Sequence, residues 1–130
     1  MAEGKFSALV IGNESLVVQC CEALLGAGHL VSAVVTRNDD IRDWAIGKMI
    51  PVLSADADLV EACGAVSFDW LLSIANLDML PEALLAQAKS GAVNFHDGPL
   101  PRYAGLNAPV WALLGAEQQH GITWHLMTGT

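Results

Sequence analysis

The chain has 130 residues, of which 53% are hydrophobic and 15% are charged. This composition predicts one globular domain and excludes a disordered tail, because a chain of this size buries roughly two-thirds of its unfolded surface. Six basic side chains against fourteen acidic ones give a formal net charge of −8, which argues against a nucleic-acid or anionic-membrane surface. An anionic small ligand stays compatible with this charge, since a local pocket can oppose the global field.

Short apolar segments alternate with helical segments along the whole chain. The predicted strands cover residues 6–11, 30–36, 51–53, 70–75, 92–95 and 121–127. The predicted helices cover residues 16–27, 39–48, 56–63, 81–89 and 109–114. This alternation predicts a doubly wound, mainly parallel α/β sheet with helices on both faces, a Rossmann-like arrangement. Ligands bind at the carboxyl ends of such strands, so the site is expected in the loops after Ile11, Thr36, Ala75 and Phe95.

Local sequence signals predict several structural roles. Asn13 or Ser15 is expected to cap the first helix with its side chain. His29 follows a glycine in a turn and is predicted to face solvent. The odd number of cysteines without metal-like spacing predicts reduced thiols in or near the core of a cytoplasmic protein: Cys20, Cys21 and Cys63. Apolar runs are broken before about 18 residues, so no membrane span is predicted, and the histidine spacing predicts no metal site.

The most informative segment runs from Asn94 to Gly105, after the fifth predicted strand. Alternation places Asn94 and His96 on the same side of the strand, where it ends at the expected ligand crevice. Two polar groups buried together at this point cost free energy unless they are satisfied, so they either anchor the following loop or serve a ligand. Two prolines and two glycines then fix the path of a loop predicted over residues 96–107.

This segment resembles the N-terminal catalytic domain of the folate-dependent formyltransferases. The family pattern is Asn-x-His followed by a Ser-Leu-Leu-Pro-like turn and a glycine, and it is matched by Asn94, His96, Leu100, Pro101 and Gly105. Further similarity lies in residues 68–75, 80–81, 109 and 120–123. The amino-acid sequence of residues 97–101 and 124–125 is most similar to that of formylation domains of nonribosomal peptide or polyketide synthetases.

The resemblance implies transfer of a formyl group from 10-formyltetrahydrofolate to a primary amine. It implies that Asn94 and His96 are catalytic, with both donating hydrogen bonds to the tetrahedral oxyanion and His96 also exchanging protons. It further implies folate contacts at Met79, Leu80, Asp97 and Leu100. The positions expected on the acceptor side are Gly12, Asn13, Arg102 and His125.

The family's third catalytic residue is an aspartate, which the family spacing places just beyond Thr130. Residues 1–130 are therefore expected to be an incomplete formyltransferase-like catalytic domain, truncated at its C-terminus and inactive or nearly so alone. The expected partners are a folate and an amine acceptor, with an aminoacyl group bound to a carrier protein preferred by resemblance. No nucleic-acid or membrane partner is expected.

Two other functions compete with formyl transfer. One is a nucleotide-binding Rossmann module of an oxidoreductase, which Arg37 supports as a possible 2′-phosphate contact after the second strand. The segment at residues 12–15 opposes it, because it has one of the three glycines of the dinucleotide-binding pattern. The other is a non-catalytic structural domain of a larger synthetase. Binding of a folate analogue, of NADP(H) or of neither separates the three.

Overall fold

The computed structural model of the chain describes residues 5–56, 58–74, 80–97 and 122–126, the backbone alone being described at residues 95–97 and 122–126. The strands are β1 (Ser7–Ile11), β2 (Leu30–Thr36), β3 (Val52–Ser54), β4 (Trp70–Ile74), β5 (Gly91–Asp97) and β6 (Ile122–Leu126). The helices are α1 (Leu16–Gly26), α2 (Asp39–Gly47), α3 (Leu59–Gly64) and α4 (Glu82–Leu85). In this part of the chain no helix is long and apolar enough to cross a membrane.

The strands form one sheet in the order β3-β2-β1-β4-β5-β6. Strands β1 to β5 are parallel, and β6 runs antiparallel to β5. The predicted mainly parallel, doubly wound sheet is confirmed. The chain first builds outward from β1 to β3, then crosses to the other side of β1 to form β4 and β5. The boundary between β1 and β4 is therefore the topological switch point of the sheet.

Helices cover both faces of the sheet, and the two faces have separate cores. The core under α1 and α2 includes Val10 of β1 together with Val17, Cys20, Leu24, Ile41 and Ala45. The core under α3 and α4 includes Leu9 of β1, Cys63 and Leu84. Neighbouring residues of one strand thus point into different cores, so the central strands are apolar at most positions, with Ser7 and Ser73 as exceptions in β1 and β4. This is why they appear in the sequence as nearly continuous apolar runs.

All three cysteines are buried, as their interpretation as small core residues predicts. Burial, followed by the negative charge of Glu22, raises the pKa of Cys21 to about 12. Burial also raises the pKa of Cys63 above its ordinary value. These thiols are therefore protonated at neutral pH and poor nucleophiles.

Several predicted boundaries differ from the structure. Strand β5 extends through His96 to Asp97, where a loop was predicted, because β6 supplies antiparallel partners for both residues. The third helix begins at Leu59, with Asp58 as its cap, and not at Asp56. The fourth helix covers Glu82–Leu85, which is shorter than predicted. The helix predicted at residues 109–114 lies outside the described residues.

The prediction that His29 faces solvent is wrong, since the residue is 6% exposed. Its Nδ1 accepts a hydrogen bond from the backbone N–H of Phe6 at 3.2 Å, and its ring stacks on that of Phe6 with centroids 3.8 Å apart. Burial, followed by the positive charge of Lys5, lowers the pKa of His29 below its ordinary value of 6.5. Protonation of Nδ1 also removes the acceptor for the Phe6 N–H.

We expect His29 to make folding stability depend on pH. Because its folded pKa lies below the unfolded value, its contribution is fully present above about pH 6.5 and is lost as the pH falls through the folded pKa. His29→Asn keeps an acceptor oxygen and cannot titrate. Urea unfolding should be measured for both proteins between pH 5 and pH 8, a range of about three units around that ordinary value. The free energy of unfolding should fall more steeply toward low pH in the wild type than in His29→Asn. Parallel curves would show that His29 is not the origin of the pH dependence.

The turn that ends α2 contains a residue in the left-handed region, Met49, with φ of 61°. Met49 N–H donates to the Ile46 carbonyl at 3.0 Å, and Ile50 N–H donates to the Ala45 carbonyl at 2.9 Å. This Schellman pattern usually has glycine at the left-handed position, because a side chain there costs about 1 kcal/mol. Met49 is 91% exposed, so it buries too little apolar surface to offset that cost.

Met49→Gly should therefore raise the free energy of unfolding by about 1 kcal/mol, since glycine adopts the same turn without strain. Met49→Leu keeps both the strain and an apolar side chain, so it serves as the matched control and should leave stability nearly unchanged. Chemical denaturation measures both. A Met49→Gly variant no more stable than the control would show that the turn is unstrained.

Candidate functional site

The ends of the central strands bring together the positions at which a site was predicted. The register pairs Ile11 of β1 with Ser73 of β4, Ser73 with Asn94 of β5, and Asn94 with His125 of β6. These residues form one row across the sheet, next to the switch point. Strand β1 ends in this row and β4 ends one residue beyond it, whereas Asn94 lies in the middle of β5. Ser73 is 1% exposed, and Asn94 is half-buried. Asn94 therefore lies where doubly wound sheets bind ligands.

His96 lies two residues beyond Asn94 on the same strand, and its backbone pairs with Thr123 of β6. Asp97 ends the strand opposite Ile122. The side chains of His96, Asp97 and His125 lie outside the described part of the structure. Their predicted roles are thus supported by backbone position alone.

Gly12 makes a close contact at the switch point. A Cβ at this position would overlap the carbonyl oxygen of Ile74 and would lie 2.7 Å from Val17 Cγ2. The Gly12 N–H also donates to the Val35 carbonyl at 3.0 Å. Glycine therefore allows the segment after β1 to pass directly over the end of β4. This steric requirement explains Gly12 without a ligand, and its role on the acceptor side stays a prediction.

Asn13 joins the segment after β1 to the segment after β2. Its Oδ1 accepts from the Arg37 N–H at 2.6 Å and from the Thr36 hydroxyl at 3.2 Å. Asn13 was a predicted cap of α1, but its side-chain oxygen serves this connection instead. The Ser15 side chain also makes no capping hydrogen bond within the described residues. The network fixes the position of the segment that borders the switch point.

Asn38 completes this connection, and the sequence reasoning missed it. Its Nδ2 donates to the Asn13 carbonyl at 3.0 Å. Its Oδ1 accepts from the N–H groups of Asp40 and Ile41, at 2.8 and 3.2 Å, and so caps α2. An asparagine directly before a helix is a recognisable capping signal. The contact with Asn13 was not readable, because it joins loops 25 residues apart.

Arg37 is engaged by an acidic neighbour. Its Nε donates to Asp56 Oδ1 at 2.8 Å, and its guanidinium also lies 3.5 Å from the Ala55 carbonyl. The carboxylate of Asp56 offsets the positive charge of this guanidinium, and it would repel a 2′-phosphate brought to the same place. This geometry argues against the oxidoreductase alternative.

The remaining predicted folate contacts fall mostly outside the described residues. Leu80 is described: it is half-buried and packs against the core under α3 and α4. Core packing therefore accounts for part of its side chain. Met79, Leu100 and Arg102 lie outside the described residues.

A large cleft lies elsewhere on the molecule. Its volume is about 770 Å³, and it lies between α2 and the ends of β2 and β3. Strands β2, β1 and β4 separate β3 from β5, a distance of about 19 Å at about 4.8 Å per strand. Within the described residues, none of the positions predicted for formyl transfer lines this cleft, but Thr36 and Arg37, at the predicted ligand loop after β2, do line it. The row at Asn94 and the cleft are therefore separate features.

Gly12→Ala should lower the free energy of unfolding by about 2–3 kcal/mol, because the new methyl group meets a backbone carbonyl that cannot rotate away. Gly26→Ala is the matched control, since a Cβ there meets nothing within 4 Å. It should raise stability by about 0.5–1 kcal/mol, because alanine favours the helix. Thermal and chemical unfolding of both variants measure the difference. Equal effects at the two positions would contradict the close approach.

Known proteins are similar to this chain in sequence. The sequence profile described as Formyl transferase matches residues 5–130. Methionyl-tRNA formyltransferase from Alkaliphilus oremlandii is 26% identical over 131 residues, which cover 88% of this chain and 42% of the relative. The enzyme of the same name from Lachnospira eligens is 27% identical over 129 residues, covering 87% and 41%. The chain thus spans about two-fifths of the length of these relatives.

Solved structures share the fold at lower sequence identity. Glycinamide ribonucleotide transformylase 1 from Symbiobacterium toebii has a TM-score of 0.67 at 16% identity, covering 99% of this chain and 69% of that one. A formyltetrahydrofolate deformylase from Pseudomonas syringae pv. tomato has a TM-score of 0.64 at 18% identity, covering 97% and 47%. With the profile matched over residues 5–130 and the same sheet found in these structures, the chain belongs to the formyl transferase family.

Proposed function

We propose that this chain binds 10-formyltetrahydrofolate and carries catalytic residues of an N-formyltransferase that acts on a primary amine. The observation that carries the proposal is the position of Asn94. It is half-buried in the middle of β5, level with the carboxyl ends of β1 and β4 in the row that crosses the switch point, and His96 lies two residues further along the strand. The family match covers both residues.

The proposed reaction replaces one carbon–nitrogen bond by another. The acceptor amine attacks the formyl carbon, and the carbonyl oxygen becomes a tetrahedral oxyanion. The Asn94 carboxamide and the His96 ring N–H donate hydrogen bonds that stabilise this oxyanion. As the bond to the folate nitrogen breaks, the acceptor amine loses one proton and the folate nitrogen gains one. Histidine suits this exchange, because its ordinary pKa is close to neutral.

The other predicted site residues are divided between the two substrates. Met79, Leu80, Asp97 and Leu100 are proposed to contact the folate, in segments that follow β4 and β5. Gly12, Asn13, Arg102 and His125 are proposed on the acceptor side. The network at Asn13 supports a positioning role for that residue, since its side-chain oxygen already accepts two hydrogen bonds.

The acceptor amine is a separate part of the proposal. The similar proteins are named for different acceptors: methionyl-tRNA, a glycinamide ribonucleotide and, in a solved structure from Shewanella, a sugar. A net charge of −8 disfavours a nucleic-acid acceptor. An aminoacyl group held by a carrier protein remains the preferred amine, from the sequence resemblance. A cytoplasmic location likewise stays a prediction.

Donor binding tests the proposal without depending on the acceptor. The chain should bind, in isothermal titration calorimetry, a tetrahydrofolate analogue in which a carbon atom that carries the formyl group replaces N10, so that the formyl oxygen is present and transfer is blocked. Asn94→Ala and His96→Ala should each weaken binding by about tenfold, the effect of one lost hydrogen bond of about 1.4 kcal/mol. The exposed Lys89→Ala serves as the control and should bind as the wild type does.

Two results would overturn the proposal. One is the absence of saturable folate-analogue binding by a wild-type chain whose circular dichroism shows a folded α/β domain. The other is binding of NADP(H) in preference to the analogue, which would favour the oxidoreductase alternative. Retained folate binding in His96→Ala would specifically remove His96 from the donor site.

A further inference from the structure

The cleft between α2 and β3 has an apolar rim that no other side chain covers within the described residues. Ile46 and Met49 line it at the end of α2, and they are 59% and 91% exposed. Met49 stands at a left-handed position that glycine would fill without strain. Its side chain therefore costs stability and contributes no buried contact in return. An exposed apolar side chain at such a strained position fits a role in contacts outside this chain.

The opposite wall of the cleft is β3, an edge strand among the described residues. The carbonyl of Pro51 accepts from the Val34 N–H of β2 at 2.9 Å, so Pro51 directs its backbone toward β2. Backbone groups alternate in direction along a strand, and Val52 and Ser54 therefore direct their N–H and C=O groups away from β2. These are the groups with which an additional strand pairs.

The charges around the cleft are balanced. The guanidinium of Arg37 lies 2.8 Å from Asp56, and that of Arg42 lies 3.3 Å from Asp39. All four residues line the cleft and are exposed. Two positive and two negative groups give no net charge there, in a chain of net charge −8. Such a surface attracts neither a polyanion nor a cation, so its ligand is selected by backbone pairing and apolar contact.

We propose that this cleft binds an extended peptide segment of a partner protein. The segment adds to β3 as a further strand, pairs with the backbone of Val52 and Ser54, and places an apolar side chain against Ile46 and Met49. A concave surface fits an inserted segment better than a second copy of the chain, and two copies of charge −8 repel each other. The peptide pairs with β3, which β2, β1 and β4 separate from β5, so the proposal does not rest on formyl transfer. The cleft adjoins the proposed acceptor side at Asn13, which hydrogen-bonds with Arg37 and Asn38 in the lining of the cleft.

The test uses random heptapeptides displayed on phage, selected on the wild-type chain and counter-selected on Met49→Gly. That variant keeps the turn and should melt a few degrees higher, so loss of binding cannot reflect unfolding. Selected peptides, made synthetically, should bind Met49→Gly at least tenfold more weakly than the wild type. Met49→Leu, which retains an apolar side chain, should bind within about threefold of the wild type, because swaps of similar volume cost little.

Two further measurements examine the mode of binding. A peptide methylated on alternate backbone nitrogens should bind about tenfold more weakly when those nitrogens face β3, because a methylated nitrogen cannot donate a hydrogen bond to a carbonyl of β3. Hydrogen exchange of the Val52 and Ser54 amides should slow in the complex. The proposal is overturned if no selected peptide depends on Met49, or if methylation on either alternate set leaves affinity unchanged. Concentration-dependent dimerisation that Met49→Gly abolishes would also overturn it, in favour of a second copy.

Discussion

The close approach of Gly12 to the end of β4 is the constraint on which the arrangement of the site depends. Strand β1 lies between β2 and β4, and the chain leaves it directly over the Ile74 carbonyl. A side chain at residue 12 would push the carboxyl ends of β1 and β4 apart. Those ends carry the row that leads through Ser73 to Asn94. The position of the candidate catalytic asparagine relative to the switch point thus depends on a residue without a side chain.

The polar network beyond Gly12 extends this constraint to the neighbouring strand. The oxygen of Asn13 accepts from Thr36 and Arg37, while Asn38 both donates to Asn13 and caps α2. Helix α2 and the segment after β1 are therefore held by the same few side chains. The network contributes Thr36, Arg37 and Asn38 to the lining of the cleft at β3, whereas the row at Asn94 has a different chemistry. The row presents a carboxamide beside the ends of β1 and β4, and the cleft presents apolar side chains and a strand that is an edge among the described residues.

The sequence predicted the strands better than the ends of the elements. Residues 6–11 are apolar except for Ser7 because both faces of β1 are buried, and this requirement is visible in the sequence without a structure. The sequence did not show where β5 ends, because the pairing of Asp97 depends on β6. Strand β6 begins at Ile122, 25 residues after Asp97. His29 was misassigned for a similar reason. A glycine beforehand predicts a turn, but only the packing of Phe6 buries the ring.

The sequence by itself determined the parallel α/β class, the apolar strands, the core cysteines and the Asn94–His96 motif that carries the family resemblance. Those features are local, since they arise from periodicity, residue type and short spacing. Tertiary structure decided which segments meet: Gly12 against Ile74, Asn13 against Arg37, and Arg37 against Asp56. It also decided that Ile46 and Met49 stand exposed beside the edge of β3. Such contacts join residues that are distant in the chain, and their geometry is fixed only when the strands have taken their order in the sheet.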